Sequence, residues 1–309
     1  MLLVVLGPTA SGKSELAFEL ARRRGADVLS VDSMQVYRGM DIGTAKPSAA
    51  ERSAVRHHLV DVVDPIEEFT VARFVELADE VIARTGGRLI ACGGTPLYYM
   101  NLFYGMFAGP GRDAGLRRRL EALGPEELYG RLCRADPAAA ARIHRNDTRR
   151  LVRALEVLEL TGRPISSLQT DWKGKARHEA VWVGLRWERE ALNRRINARV
   201  RAMFEAGWVD EVRGLLSKWG GLSRTAAEAT GYGQIMEHLA GRAALDDTVE
   251  SIKIATRQLA RRQMKWMRRF SQVHWIDAAA PLDEKVRRVE ALWTAGRDPV
   301  SSNRSGENA

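Results

Sequence analysis

The chain has 309 residues, 45% hydrophobic and 28% charged, which is typical of a globular protein with one large core or a core plus a smaller domain. Two cysteines are too few for a disulfide framework, and no apolar run approaches the 18 residues that cross a bilayer, which excludes disulfide scaffolds and membrane-spanning proteins. The net charge of +9 favours a polyanionic partner, usually nucleic acid, and we expect a cytosolic chain with both cysteines as buried thiols.

The first predicted element is a strand that leads directly into a phosphate-binding motif. Residues 2–6 form an apolar run, and the next eight residues match the P-loop pattern G-x-x-x-x-G-K-[ST]. Such a loop points backbone N–H groups at phosphate oxygens, its lysine reaches the terminal phosphate, and its last hydroxyl can bind Mg²⁺. The sequence therefore predicts a polyphosphate site with Ser14 as a metal ligand. The predicted site consists of Gly7, Pro8, Thr9, Ala10, Ser11, Gly12, Lys13 and Ser14.

A second strand is predicted over residues 27–33, and it contains Asp32 near its carboxyl end. Ligands of parallel α/β sheets gather at that end of the strands, so we expect Asp32 beside the P-loop. Residues 34–47 lack periodicity and are rich in glycine and polar side chains, which favours a functional loop.

Two further strands are predicted before the chain changes character. Residues 58–64 form a short strand stopped by Pro65, and Thr70 is a candidate N-cap for the helix that follows. Residues 88–92 form a buried strand that runs into a Gly-Gly-Thr turn ending at Thr95. That strand lacks the terminal aspartate of motor ATPases, and the chain lacks the guanine-reading Asn-Lys-x-Asp motif of GTPases.

Residues 113–179 contain several helical stretches, many arginines and little strand signal, which predicts an all-α insertion. Strand character returns over residues 180–185, and helices are predicted at about 189–218, 225–240 and 246–271. We therefore predict an α/β fold: a P-loop NTPase-like parallel sheet flanked by helices, formed by residues 1–112 and 180–297. Residues 298–309 are rich in Ser, Asn and Gly and are predicted to be disordered.

Several segments together resemble the tRNA dimethylallyltransferases, also called tRNA isopentenyltransferases. The resemblance spans residues 2 to about 277, and the block through Pro47 is far more specific than a P-loop alone. The matching blocks are residues 7–14, 30–47, 58–61, 93–98, 142–147, 150–157, 231–232 and 256–266.

The resemblance implies a reaction and its partners. The P-loop would hold the diphosphate of dimethylallyl diphosphate with Mg²⁺, and the prenyl group would move to the N6 amine of the adenosine immediately 3′ of the anticodon. The insertion would grip the tRNA anticodon stem-loop. We expect no membrane partner, and we expect the chain to act as a monomer.

The resemblance also implies roles for individual residues. Asp32 would be the catalytic base and Thr95 would orient the amine, while Arg189 would touch the diphosphate. Both catalytic residues would also contact RNA, and the other predicted RNA contacts are Ser33, Met34, Gln35, Arg117, Arg149, Arg150, Leu151, Val152 and Arg153.

The chemistry that the residues offer agrees with this reaction. An allylic diphosphate ionises readily once the charge of its leaving group is neutralised, and an adenine amine needs an acceptor for its proton. Three alternatives stay open at this point. They are an adenylate isopentenyltransferase acting on free AMP, ADP or ATP, a P-loop small-molecule kinase, and an RNA-binding switch controlled by a nucleotide.

Overall fold

The computed structural model describes residues 1–106, 109–168 and 176–296; the predicted disordered tail lies outside them. The chain divides into two compact units. The larger unit comprises Met1–Leu102 and the chain from His178 onward, and the smaller unit is Phe103–Arg177. The predicted domain boundaries lay at residues 113 and 179 instead.

The larger unit is built on one sheet of six parallel strands in the order β3-β2-β4-β1-β5-β6. This arrangement confirms the predicted parallel α/β architecture. The strands are β1 (Leu2–Leu6), β2 (Asp27–Ser30), β3 (His57–His58), β4 (Leu89–Gly93), β5 (Ala180–Arg186) and β6 (Val273–Asp277). Because β1 and β4 lie in the middle of the sheet and are buried along their whole length, both read as continuous apolar runs.

Helices precede and follow the strands of this unit. Those of the N-terminal part are α1 (Lys13–Arg24), α2 (Ala49–Ala54), α3 (Val71–Thr85) and α4 (Pro96–Tyr104), the last of which ends in the smaller unit. Those of the C-terminal part are α10 (Arg189–Glu205), α11 (Trp208–Trp219), α12 (Arg224–Ala227), α13 (Tyr232–Leu239), α14 (Leu245–Met267) and α15 (Leu282–Ala295). Apolar residues of α1 and α15 pack with β1, β4, β5 and β6 in one buried cluster.

Four local predictions were wrong, and one of them is the helical stretch over 225–240, which is two helices, α12 and α13, separated at Gly231, where φ is 103°. The strand predicted over 58–64 is reduced to His57–His58, because Leu59 and Asp61 adopt left-handed backbone conformations that end it. The edge strand β6 was missed, since no strand was predicted after the helical stretch that ends at about residue 271. The helical stretch predicted over 189–218 is two helices, separated at Gly207, where φ is 93°.

The smaller unit is all-helical within its described residues, 103–106, 109–168 and 176–177. Besides the end of α4, its helices are α5 (Ala114–Glu121), α6 (Gly124–Ala135), α7 (Pro137–Ala140), α8 (Thr148–Thr161) and α9 (Ile165–Leu168). Leucine, alanine, valine and isoleucine side chains from all five of these form a separate hydrophobic core. Cys133 of α6 is exposed, which corrects the expectation of a buried thiol there, whereas Cys92 is buried.

Candidate active site

The phosphate-binding loop has the geometry that its motif predicts. The chain leaves β1 at Gly7 and enters α1 at Lys13, and Gly12 lies at the helix N-cap with a left-handed φ of 87°. Because Gly12 has no side chain to cap the helix, the first N–H groups of α1 are left for another acceptor. Lys13 Nζ donates to the Pro8 carbonyl at 3.3 Å, so the lysine lies over its own loop.

The ends of β2 and β4 bring Asp32 and Thr95 to the same edge of the sheet as this loop. Thr95 Oγ1 accepts the N–H of Ser33 at 3.1 Å, which joins the two strand ends directly. Asp32 Oδ1 accepts the N–H of Met34 at 2.9 Å. Gly93 is required at the end of β4, because a Cβ there would overlap the carbonyl of Val31.

One cavity of about 450 Å³ contains this edge of the sheet. It is lined by P-loop residues, by the strand ends, by the loop after β2, and by α10 and α14. The sequence-predicted residues that the cavity brings together are Thr9, Lys13, Ser14, Asp32, Ser33, Met34, Gln35 and Thr95. Ala10, Ser11 and Gly12 line an adjoining cavity of about 440 Å³, which also contains Lys13 and Ser14.

Two arginines of α10 face the phosphate-binding loop, and sequence reasoning missed both. Arg195 Nε donates to the Ala10 carbonyl at 2.9 Å, and its guanidinium stacks on Trp187 at 4.6 Å from the ring centre. Arg199 lines both cavities, four residues further along the same helix face. The i, i+4 spacing of the two arginines was the available signal, but it is shared by many solvent-exposed helices.

The electrostatic setting of the cavity is cationic. Burial lowers the pKa of Lys13, the charge of Arg199 lowers it further, and Asp32 acts in the opposite direction. Burial likewise lowers the pKa of Arg199, which Asp32 opposes. In the part of the chain that the structure describes, Asp32 forms no ion pair with either cation. Such a site stabilises an anionic ligand, because the ligand supplies the missing counter-charge.

Gln263 of α14 connects the P-loop to the end of β4. Its Oε1 accepts the N–H of Thr9 at 2.9 Å, and its Nε2 donates to the carbonyl of Gly94 at 2.8 Å. The amide is therefore oriented by two backbone groups that lie far away in the sequence. Residues 256–266 had signalled a family resemblance, but nothing local indicated that this side chain holds the loop.

Comparisons with known proteins agree with the geometry. The family model described as IPP transferase matches residues 35–270, and the model described as isopentenyl transferase matches residues 1–68. The chain belongs to the IPP transferase family. A protein of Geobacter metallireducens named tRNA dimethylallyltransferase is 49% identical over 94% of this chain and 97% of its own length. One of the same name from Acetivibrio thermocellus is 44% identical over 92% and 94%.

Solved structures show the same relationship. The full-length tRNA isopentenylpyrophosphate transferase of Bacillus halodurans is 38% identical, with a TM-score of 0.72 over 96% of each chain. A eukaryotic dimethylallyltransferase, described as acting on tRNA, is 27% identical, with a TM-score of 0.82 over 98% of this chain and 81% of its own. The family resemblance identified from the sequence is thus confirmed.

Several residues predicted for the site of this IPP transferase lie elsewhere. Arg189 is the first residue of α10, it is exposed, and it lines none of the cavities described above, so its contact with the diphosphate stays a prediction. Gly7 and Pro8 are buried in the loop without lining either cavity. Gln35 lines the central cavity, but its amide also bonds to Ser30 and to the carbonyls of Thr44 and Ala45.

In the described part of the insertion, two of the predicted RNA-binding residues are exposed to solvent, namely Arg149 and Arg150. Leu151 and Val152 are in the hydrophobic core, with at most 1% of their surface accessible. Arg117 and Arg153 both bond to Glu156, which is completely buried. Residues 149–153 therefore contribute two arginine side chains to the surface, while their other side chains pack inside the insertion.

Two arginines of the insertion bond to the buried carboxylate of Glu156. Arg117 donates from Nε and Nη2 to the two carboxylate oxygens at 2.8 Å each, and Arg153 donates at 2.6 Å. The N–H of Asp113 donates as well, at 2.9 Å. Burial by itself would raise the pKa of Glu156, but these hydrogen bonds outweigh it and hold the pKa at about 2.

The donor set for a divalent metal is small. Among the described residues, no group of three or more His, Cys, Asp or Glu side chains could hold an ion. The Ser14 hydroxyl and the Asp32 carboxylate nevertheless line the same cavity. Magnesium commonly keeps several waters and takes one or two protein oxygens together with substrate phosphates, so a site with the Ser14 hydroxyl as its protein ligand fits it.

No helix within residues 1–106, 109–168 and 176–296 combines the length and the hydropathy needed to cross a bilayer.

Proposed function

We propose that the protein transfers a dimethylallyl group from dimethylallyl diphosphate to the N6 amine of the adenosine immediately 3′ of the anticodon in tRNA. One observation carries the proposal. A single cavity is lined by the P-loop lysine Lys13, by Asp32 and by Thr95, in a chain of the IPP transferase family. The names of its relatives, which specify tRNA and a dimethylallyl or isopentenyl group, support the same substrates.

The diphosphate end of the donor would lie against the P-loop. Backbone N–H groups at the start of α1 and the charges of Lys13, Arg195 and Arg199 would neutralise the leaving group as the allylic C–O bond breaks. Magnesium held by Ser14, with Asp32 beside it, would add charge neutralisation to the departing diphosphate. The leaving group is diphosphate, which departs with the electrons of the broken bond.

The adenine amine would be neither acylated nor oxidised. It would form one new N–C bond and lose one proton. Asp32, Glu51 and Glu228 are the carboxylates that line the cavity among the described residues, and Asp32, which follows the end of β2, would accept that proton. The Thr95 hydroxyl would orient the amine while it stays bonded to Ser33. Flipping the base into the cavity costs a few kcal/mol, which contacts there must offset.

The insertion would bind the stem-loop through its exposed arginines, with Arg149 and Arg150 as the first candidates. The net charge of +9 supports association with a polyanion. We further propose a cytoplasmic monomer that uses magnesium.

The experiment that tests the function is transfer from labelled dimethylallyl diphosphate with magnesium. The acceptors are an anticodon stem-loop with adenosine 3′ of the anticodon, the same stem-loop with guanosine there, and free AMP and ATP. Label in the adenosine stem-loop alone is expected. Label in free nucleotides would instead indicate an adenylate isopentenyltransferase, and consumption of ATP without label would indicate a kinase.

A further inference from the structure

The loop after β2 forms part of the wall of the central cavity. We call residues Asp41–Pro47 the wall loop. Its residues from Gly43 onward line the central cavity, and Ala45, Lys46 and Pro47 also line a second cavity of about 460 Å³. Arg199 and Met203 of α10 border both cavities too. The wall loop and this part of α10 therefore border both cavities.

The backbone of the wall loop is not in a relaxed conformation. Ala45 has a φ of 47°, a left-handed value that costs a residue with a Cβ free energy and persists only where the surroundings enforce it. Its N–H bonds to the carbonyl of Ile42 at 3.0 Å, and the N–H of Lys46 bonds to Asp41 at 3.0 Å. These two bonds alone close a tight turn, so the loop needs anchors outside itself.

Glu211 of α11 provides the principal anchor. Its carboxylate accepts the N–H groups of Asp41 at 2.8 Å, Ile42 at 2.6 Å and Gly43 at 3.3 Å. Tyr232 donates its hydroxyl to the same carboxylate at 2.6 Å. Bonds of this kind to a charged acceptor are about twice as strong as neutral ones. Three successive N–H groups on one carboxylate hold the first half of the wall loop.

Other contacts complete the anchoring. Trp208, one turn before Glu211 on α11, packs so closely that a Cβ on Gly43 would overlap its ring. Lys46, whose side chain is 1% exposed, donates to the carbonyl of Tyr37 at 2.7 Å and to Asp61 at 2.6 Å. Lys46 also donates to the Asp41 carboxylate at 2.5 Å, so the two halves of the loop are tied to each other.

We propose that Glu211 is a positioning residue that fixes the wall loop and thereby limits the length of the prenyl chain that the cavity accepts. The inference rests on the proposed function, because it needs an allylic diphosphate with its phosphate end at the P-loop. Ala45 lines the cavity that contains Lys13 and Ser14 as well, so the wall loop borders that end of the ligand. Apolar side chains of α10 (Ile196, Val200 and Met203) line the central cavity with it.

The physical consequence of losing Glu211 follows from its bonds. In Glu211→Gln one neutral amide oxygen replaces two charged oxygens, so the three N–H groups cannot all keep their acceptor, and Ala45 can relax from its left-handed conformation. The residues from Ala45 to Pro47 then no longer separate the two cavities, and a chain longer than five carbons has space. The short donor meanwhile loses a wall that packs against it.

The test is Glu211→Gln, assayed with dimethylallyl diphosphate and with the ten-carbon geranyl diphosphate on the same stem-loop. The KM for dimethylallyl diphosphate is expected to rise about tenfold, the size expected from losing charged hydrogen bonds. The preference for the five-carbon donor, as a ratio of kcat/KM values, should fall about tenfold or more. The Kd for the stem-loop should stay within about twofold, since Glu211 lies outside the predicted RNA contacts.

Glu205→Gln is the matched control, because it makes the same chemical change as Glu211→Gln at an exposed position at the end of α10. Tyr232→Phe removes only the hydroxyl donated to Glu211, and it should shift donor preference in the same direction by a smaller factor. Glu211→Asp should recover part of the preference lost in Glu211→Gln. Unchanged donor preference in both Glu211→Gln and Tyr232→Phe would overturn the inference.

The wild-type protein separates the two proposals. If it transfers no dimethylallyl group to the stem-loop, the proposed function fails, whatever the variants do. If it transfers normally while the variants lower kcat for both donors equally, with unchanged KM values, Glu211 has a purely structural role and the inference about chain length fails alone.

Discussion

Two clusters, one in each unit, differ in how a carboxylate meets two neighbouring cations. In the insertion, Glu156 is bonded to Arg117 and Arg153 and is completely buried. In the larger unit, Asp32 lies near Lys13 and Arg199 in the cavity, yet within the described residues it forms no ion pair with either. A cluster that satisfies itself stabilises a fold, whereas charges kept apart around a cavity are available to a ligand.

The difference between the two clusters predicts that the largest effect of a substitution, a slower single-turnover rate, is found at Asp32. Asp32→Asn removes the proposed proton acceptor, and the single-turnover rate should fall by roughly 10²–10⁴-fold. Folding and stem-loop affinity should be preserved, because Asp32 makes one backbone hydrogen bond that an amide oxygen can also accept. Asp283→Asn at an exposed position is the control. A near-normal single-turnover rate would remove Asp32 from this role.

In the insertion, by contrast, a substitution in the Glu156 cluster is expected to lower stability. Arg117→Met leaves Glu156 buried with one cation fewer, and breaking a buried pair in this way costs about 3–5 kcal/mol of stability. Hydrogen exchange of the amides of α5 and α8 would measure the loss within the insertion, with the exposed Arg118→Met as the control. Protection that is equal in the two variants would contradict a structural role for the pair.

Acid should weaken the same cluster. The pKa of Glu156 is held at about 2 in the folded state against an ordinary 4.5, so its contribution is present above pH 4.5 and is lost as the pH falls through 2. The difference corresponds to about 3 kcal/mol. Protection of α8 in the wild type should therefore approach that of Glu156→Gln as the pH falls from 5 to 2. A difference that is constant over this range would show that the ion pairs contribute nothing.

A substitution of Arg199 measures what a cation contributes to the cluster around Asp32 in the cavity. Arg199→Met should lower kcat/KM for dimethylallyl diphosphate by about 10²-fold, a size typical of removing one donor from a developing negative charge. Stem-loop affinity should change by less than about twofold. Arg201→Met, on an exposed face of the same helix, is the matched control. Equal effects of the two substitutions would mean that Arg199 acts only through the net charge.

The smallest effect is expected at the surface of the insertion. Arg149→Ala should weaken stem-loop binding and reduce the slope of log K against log salt by about one, as expected for one lost phosphate contact. Arg84→Ala, exposed in the last turn of α3, controls for net charge. A slope that is unchanged in Arg149→Ala would leave the arginine as a solvent-facing residue.

The sequence by itself predicted the elements whose information is local. The P-loop is a strand, a loop and a helix start within 13 consecutive residues, so a short pattern contains all its determinants. The buried strands β1, β4 and β5 appear as apolar runs for the same reason. Asp32 could be placed because ligands gather at the carboxyl ends of parallel strands, whereas Thr95 was assigned through the family resemblance. The arginine-rich segment was correctly predicted to be helical.

Only the tertiary structure decided which of several chemically identical side chains have a role at the site. Arg195, Arg199 and Gln263 approach the P-loop from helices about 180 to 250 residues away in the sequence. Arg117 and Arg153 resembled the exposed arginines beside them until packing placed Glu156 between them. The physical reason is that burial and partners belong to pairs of distant residues. A local pattern specifies a residue's own conformation, but not what the fold brings against it.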